Sequence, residues 1–95
     1  MIGYRFLPPA EEEMTEASLF YESASPGLGQ DFLDDVQRVL DYLREHPLGG
    51  QSIPVGLKRV HLRRFPFSLI YSIESDAILI MVRASAQARR LTMSP

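Results

Sequence analysis

The sequence predicts an α+β domain: one strand, two helices and three further strands, with the helical hairpin packed on a largely antiparallel four-stranded sheet. Two stretches carry that prediction. From Lys58 to Val82 the chain is a series of short β-branched, aromatic and apolar runs split by polar gaps, the pattern of consecutive strands. Between Ala10 and His46 the apolar residues recur instead at helical spacing. At 95 residues the chain has room for one core, so residues 1–95 are taken as a single domain.

The elements follow in order. Gly3 to Leu7 alternates bulky Tyr4 and Phe6 with smaller or polar neighbours and stops at Pro8, as a short strand does. Pro8 and Pro9 suit the first turn of a helix, where a missing N–H costs nothing. The acidic run Glu11 to Glu13 then lies near the positive end of the helix dipole. Ala10, Met14, Ala17 and Tyr21 form one stripe of this first helix, which should end between Ser23 and Gly27. The second helix, Leu28 to His46, has a stronger stripe of Leu28, Phe32, Val36, Val39, Leu40 and Leu43. With only Ser-Pro-Gly between them, the two helices should form an antiparallel hairpin, closed by Pro47, Gly49 and Gly50.

Gln51 to Gly56 reads as a loop leading into the strand Leu57 to Leu62, where Val60 and Leu62 alternate with Arg59, His61 and Arg63. The next strand, Phe67 to Ile73, places Phe67, Leu69, Tyr71 and Ile73 on one side and Ile70 on the other. The last, Ala77 to Val82, is apolar throughout. Glu74, Ser75 and Asp76 separate these two, and without Asn-Gly or Asp-Gly the expected connection is somewhat longer than the tightest hairpin. A helix pair can shield one sheet face alone. Ile70, with either Leu79 and Met81 or Ile78 and Ile80, therefore needs other cover: a partner chain, or the C-terminal tail from Ala84 to Pro95.

Composition narrows the classes further. Hydrophobic residues make up 45% of the chain and charged residues 23%, a globular balance rather than a disordered one. No apolar run approaches the roughly 20 residues a membrane span needs. No secretory leader pattern precedes Ala10, and the chain has no cysteine, so a cytoplasmic location is expected. The net charge of −2 conceals an asymmetry: residues 1–50 hold three arginines against ten acids, residues 51–95 seven cations against two acids. The positive charge travels with the strands. The carboxylates lie along helices with no matching histidine cluster, so neither a metal site nor a cofactor is expected.

Three motifs resemble the RelE/ParE superfamily of bacterial type II toxin–antitoxin toxins. Gly27-Leu28-Gly29-Gln30-Asp31-Phe32-Leu33, followed by Val36, is similar to the opening of that family's second helix. His46-Pro47 with the glycines beyond it is the second motif. The run Arg59-Val60-His61-Leu62-Arg63-Arg64-Phe65-Pro66-Phe67-Ser68-Leu69-Ile70-Tyr71 resembles the family's arginine-to-FPY block, with Phe67 where tyrosine is common. The resemblance covers about Tyr4 to Arg90. It implies a RelE/ParE-like fold and a partner, a cognate antitoxin whose C-terminal segment wraps the toxin in a hetero-oligomer.

Two branches of that family differ in action. RelE-like members cleave mRNA on the ribosome; ParE-like members inhibit DNA gyrase by protein–protein contact. Cleavage through a 2′-hydroxyl needs a base, an acid and cations facing the phosphate. Lys58, Arg59, Arg63 and Arg83 are the candidate cations, and His61 the candidate base. Many nuclease members end in His-x-x-Arg followed by aromatic residues; here Ala86 stands in the histidine place, and Leu91 to Pro95 holds no tyrosine or tryptophan. The resemblance thus favours the ParE-like branch, with Arg59, Arg63, Ile70, Leu79, Met81, Arg83, Arg89 and Arg90 as candidate antitoxin- or target-binding residues. The RelE-like nuclease, and a relative that only binds an antitoxin, are the alternatives.

Overall fold

A computed structural model describes residues 2–84. Its elements are β1 (Gly3–Phe6), α1 (Pro8–Ala24), α2 (Leu28–Glu45), β2 (Gln51–Ile53), β3 (Leu57–His61), β4 (Phe67–Ile73) and β5 (Ala77–Ala84). They form one sheet in the order β1-β5-β4-β3-β2, antiparallel except where β1 runs parallel to β5. The sequence-based expectation is corrected in its strand count, because the sheet has five strands and not four. The added strand is the segment read as a loop. Gln51, Ser52 and Ile53 pair with Arg59, Lys58 and Leu57. The turn between them passes through Val55 and Gly56, both at positive φ (60° and 73°), an unusual conformation for a β-branched residue and no part of the common hairpin signature.

A second correction concerns the β4–β5 connection. Glu74 N–H donates to Ala77 O at 2.8 Å, so only Ser75 and Asp76 turn the chain, tighter than expected.

Two glycines shape the helical hairpin. Gly27 caps α2 at φ 88°, a left-handed conformation that costs glycine least. In place of a serine or aspartate cap, the Glu22 carboxylate at the end of α1 accepts the Gly27 and Gly29 N–H groups at 3.0–3.1 Å. Gly29 matters for packing: a Cβ there would lie 2.5 Å from Ser18 O, so the helices could not approach as they do.

The core lies between this hairpin and one sheet face. Phe32, Val36, Val39, Leu40 and Leu43 of α2 and Ala10 and Ala17 of α1 are buried, as their spacing predicted. They meet Phe67, Leu69 and Tyr71 of β4 and Ile78, Ile80 and Val82 of β5. At its centre Phe32 is fully buried, edge-on to Phe65 and Phe67 at centroid distances of 5.4 and 5.1 Å. Tyr71 ends the core with a polar anchor: its hydroxyl donates to Pro47 O at 2.8 Å and accepts Gly50 N–H at 2.9 Å, fixing the chain where it enters β2. Burial pushes the Tyr71 phenol above its ordinary value, with a smaller upward contribution from nearby Tyr42 and an opposing one from Gly50. Among the described residues, no helix is long and apolar enough to cross a membrane.

Candidate functional site

Because side chains alternate along a strand, the helices cover one face of the sheet and leave the other open. The register settles which residues stand on it. Ile78 and Ile80 point into the core, so Leu79 and Met81 are the pair left outside, half-buried beside Ile70. Ile70 pairs with Met81 on one side and with Arg59 on the other. In the next row Leu79 lies between Ser72 and Arg5, and Ile53 opposite Leu57 extends the apolar strip towards β2.

Cations border this strip. Arg59 reaches β2, where its guanidinium donates to Gln51 Oε1 at 3.2 Å while its Nε is buried with no hydrogen-bond partner among the described residues. His61, Ser68 and Arg83 form a third row across β3, β4 and β5. There His61 Nδ1 and the buried Ser68 hydroxyl are 2.7 Å apart. Arg83 and Arg5 are exposed at the β5 and β1 side. Among the described residues, no carboxylate stands on the open face of these strands. A centre of half-buried aliphatic side chains bordered by arginines is complementary in charge and polarity to an acidic, partly apolar chain segment.

Not every candidate cation joins this face. Lys58 points to the opposite one, where its Nζ donates to Ser52 Oγ at 3.2 Å and to Gly50 O at 3.5 Å. Strand alternation separates it from Arg59 and His61, so the cationic group imagined from sequence is split. Arg63 lies beyond the end of β3, in the turn to β4, and lines a groove with His61, Val60, Arg38, Val39, Tyr42 and Gly49. Arg89 and Arg90 lie outside the described residues, as does Ala86.

The turn that bears Arg63 is held in place by Asp35 on α2. Its carboxylate accepts the Arg64 N–H at 2.9 Å and pairs with the Arg38 guanidinium one helical turn on. Burial alone would raise the Asp35 pKa, but the Arg64 N–H, the Arg38 guanidinium and the Arg63 N–H more than offset this and hold it below the ordinary value of 3.8. Asp35 falls outside the apolar stripe that the spacing of the second helix predicts, yet it is buried. The i,i+3 pair with Arg38 is local, but nothing local betrays the tie to the turn, whose Arg63 and Arg64 are 28 and 29 residues away. Arg5 was overlooked for the same reason: only the parallel pairing of β1 with β5 brings it beside Leu79. The Ser68–His61 contact follows from the β3–β4 register, which the sequence left unassigned. Among the described residues, no group of three or more His, Asp or Glu side chains is placed to hold a metal ion.

Comparison with known proteins adds to this geometry. Residues 4–90 match the family model described as the ParE toxin of the type II toxin–antitoxin system, parDE. A solved structure of a chromosomal ParDE TA system from P. aeruginosa is similar, with a TM-score of 0.77 and 18% identity, over 90% of this chain and 97% of that one. At that identity the likeness is one of fold. No curated protein matches the chain by sequence.

Proposed function

The chain belongs to the ParE toxin family of type II toxin–antitoxin systems, and from that premise we propose that it inhibits DNA gyrase by protein–protein contact and is neutralised by a cognate antitoxin seated on the open sheet face. The toxin acts in the bacterial cytoplasm, without a cofactor, and is held as a hetero-oligomer with its antitoxin until released. One observation carries the neutralisation: the apolar strip Ile70, Leu79 and Met81, bordered by Arg5, Arg59 and Arg83, has no acid on its face among the described residues. A flexible acidic antitoxin segment would fold onto it, burying the strip and pairing its carboxylates with the arginines. Each 100 Å² of apolar surface so covered would contribute about 2.5 kcal/mol, before the cost of ordering the segment. Gyrase inhibition rests on the family and on the incomplete set of acid–base residues.

The test is incubation of the purified, antitoxin-free protein with gyrase, ATP and supercoiled plasmid, followed by detergent and protease. Linear plasmid from trapped cleavage complexes is the expected product. Its absence would overturn the gyrase reading. A second reading, ribosome-dependent mRNA cleavage, is favoured by the His61–Ser68–Arg83 row beside Arg59, which places a titratable imidazole among cations. Cleavage of mRNA on programmed ribosomes, lost in both His61→Ala and Arg63→Ala, would establish it instead.

A further inference from the structure

A groove at the edge of the sheet holds an aromatic ring as well as cations. Pairing of β2 with β3 begins at Gln51 opposite Arg59, so Val60 and His61 have no strand beside them on that side among the described residues. The space there, about 440 Å³, opens between Arg38, Tyr42 and Gly49 on one side and Val60, His61 and Arg63 on the other. Tyr42 is 46% exposed, yet its ring is held from two directions. His46, one turn further along, lies against it at a centroid distance of 4.9 Å and an interplanar angle of 35°. The hydroxyl rests on the backbone of Gly49, where a Cβ would come within 2.5 Å of it. An exposed ring that packing already fixes loses little freedom when a second ring stacks on it.

Cations from two elements share the groove, and Asp35 positions both. Its carboxylate pairs with the Arg38 guanidinium on α2 and accepts N–H groups of the turn that carries Arg63. That pairing uses one Nη of Arg38, whose side chain remains 43% exposed and keeps further donors for an anion. Arg63 is exposed, and no carboxylate lines the groove among the described residues.

We propose that the groove binds a nucleoside monophosphate unit, its base stacked on Tyr42 and its phosphate held by Arg38 and Arg63. The ring selects this ligand. An acidic peptide would satisfy the arginines and leave Tyr42 unused, and so would inorganic phosphate, whereas a nucleotide engages ring and cations together. The volume of about 440 Å³ lies within the range of small-molecule sites, roughly 300–1,000 Å³. The groove is separate from the apolar strip Ile70, Leu79 and Met81, and the proposal rests on neither the gyrase nor the antitoxin reading.

Titration of the full-length protein with adenosine 5′-monophosphate, followed by NMR, should give saturable shifts at Tyr42, Gly49 and Val60 and leave Ile70 and Leu79 unmoved. Adenosine and inorganic phosphate, each supplying half of the ligand, should bind about tenfold more weakly or less. Because that comparison uses the unaltered protein, it stands whatever the variants do. Tyr42→Ala should weaken binding of the monophosphate about tenfold, as loss of one stacked base does, while Tyr42→Phe should keep it. Arg63→Ala should weaken the monophosphate about tenfold and leave adenosine unchanged. Arg5→Ala, on the strand at the opposite edge of the sheet, should change neither. The dinucleotide ApA, with an internal phosphodiester and no terminal phosphate, separates two sources of the same chemistry. Binding as tight as the monophosphate's would assign the groove to the interior of a strand, and weaker binding to a free or terminal monophosphate. Inorganic phosphate or an oligoglutamate peptide binding the same residues as tightly as the monophosphate would overturn the proposal. So would shifts confined to the open face, or a Tyr42→Ala variant that binds like the parent.

Discussion

The two faces of one sheet differ in what they leave unfinished. On the helix side, Leu69, Tyr71, Ile78, Ile80 and Val82 are buried in the core with side chains of α1 and α2. On the open side, Ile70, Leu79 and Met81 occupy alternate positions of the same strands, yet they stay half-buried and carry arginines at their border. Alternating strand residues thus divide two tasks between them. One set holds the domain together, and the other is the set that the proposed function gives to a partner. The difference can be measured, because substitutions on the first face should change stability and those on the second should change binding.

The largest effect belongs to the covered face. Phe32→Ala removes a fully buried ring that touches Tyr21, Phe65 and Phe67. It should cost about 3–5 kcal/mol in a denaturant titration, through lost burial and the cavity left behind. For a domain of this size that is a large share of total stability. A comparable loss from Ile70→Ala on the open face would break the comparison, since it would mean that the strip is structural cover.

Asp35→Asn comes next and sharpens the boundary between the faces, because Asp35 ties α2 to the turn that carries Arg63 and Arg64. The loss should be about 1–3 kcal/mol near neutral pH, as expected when a buried charged hydrogen bond is removed. Its pH dependence has a definite sign. The folded-state pKa is lowered, so the native state releases the proton more readily than the unfolded chain. The stabilisation is fully present above the ordinary value of 3.8 and declines as pH falls through the lowered folded value. Acid titration of stability should therefore be flatter in Asp35→Asn than in the parent across that window. Identical curves would show that the turn does not depend on this carboxylate.

The covered face was the legible one. Helical periodicity named Phe32, Val36, Val39, Leu40 and Leu43, and strand alternation named Phe67, Leu69 and Tyr71, because burial leaves a repeating mark in the sequence. The open face was legible only in part. Ile70 broke the alternation of β4 and so announced a second apolar side, but in β5, apolar throughout, the choice between Leu79–Met81 and Ile78–Ile80 needed the register. What stayed hidden depends on pairing over distance: Arg5 beside β5, Ser68 against His61, and Asp35 under the Arg63–Arg64 turn. β2 was missed for a different reason. Three residues are too few for a periodic signal, and a Pro-Val-Gly turn with Val55 at positive φ does not advertise a hairpin. Lys58 was misplaced with the arginines because nearness in sequence suggests nearness in space, whereas in a strand adjacent residues point apart.

The smallest expected change in stability is the most informative about function. Arg83 is exposed at the end of the His61–Ser68–Arg83 row, with no carboxylate partner among the described residues. Arg83→Ala should leave stability within about 0.5 kcal/mol of the parent, as surface changes away from special contacts do. If the open face receives an acidic antitoxin segment, the same change should weaken neutralisation in cells co-expressing the cognate antitoxin, and Arg83→Glu should weaken it further by setting like charges together. The two readouts separate the possibilities. Stability unchanged with neutralisation weakened assigns the face to the partner. Stability and neutralisation falling together make Arg83 part of the fold. If neither changes, the arginine border plays no part in docking, and the apolar strip alone must account for recognition, which Met81→Asp would then abolish without unfolding the helix side.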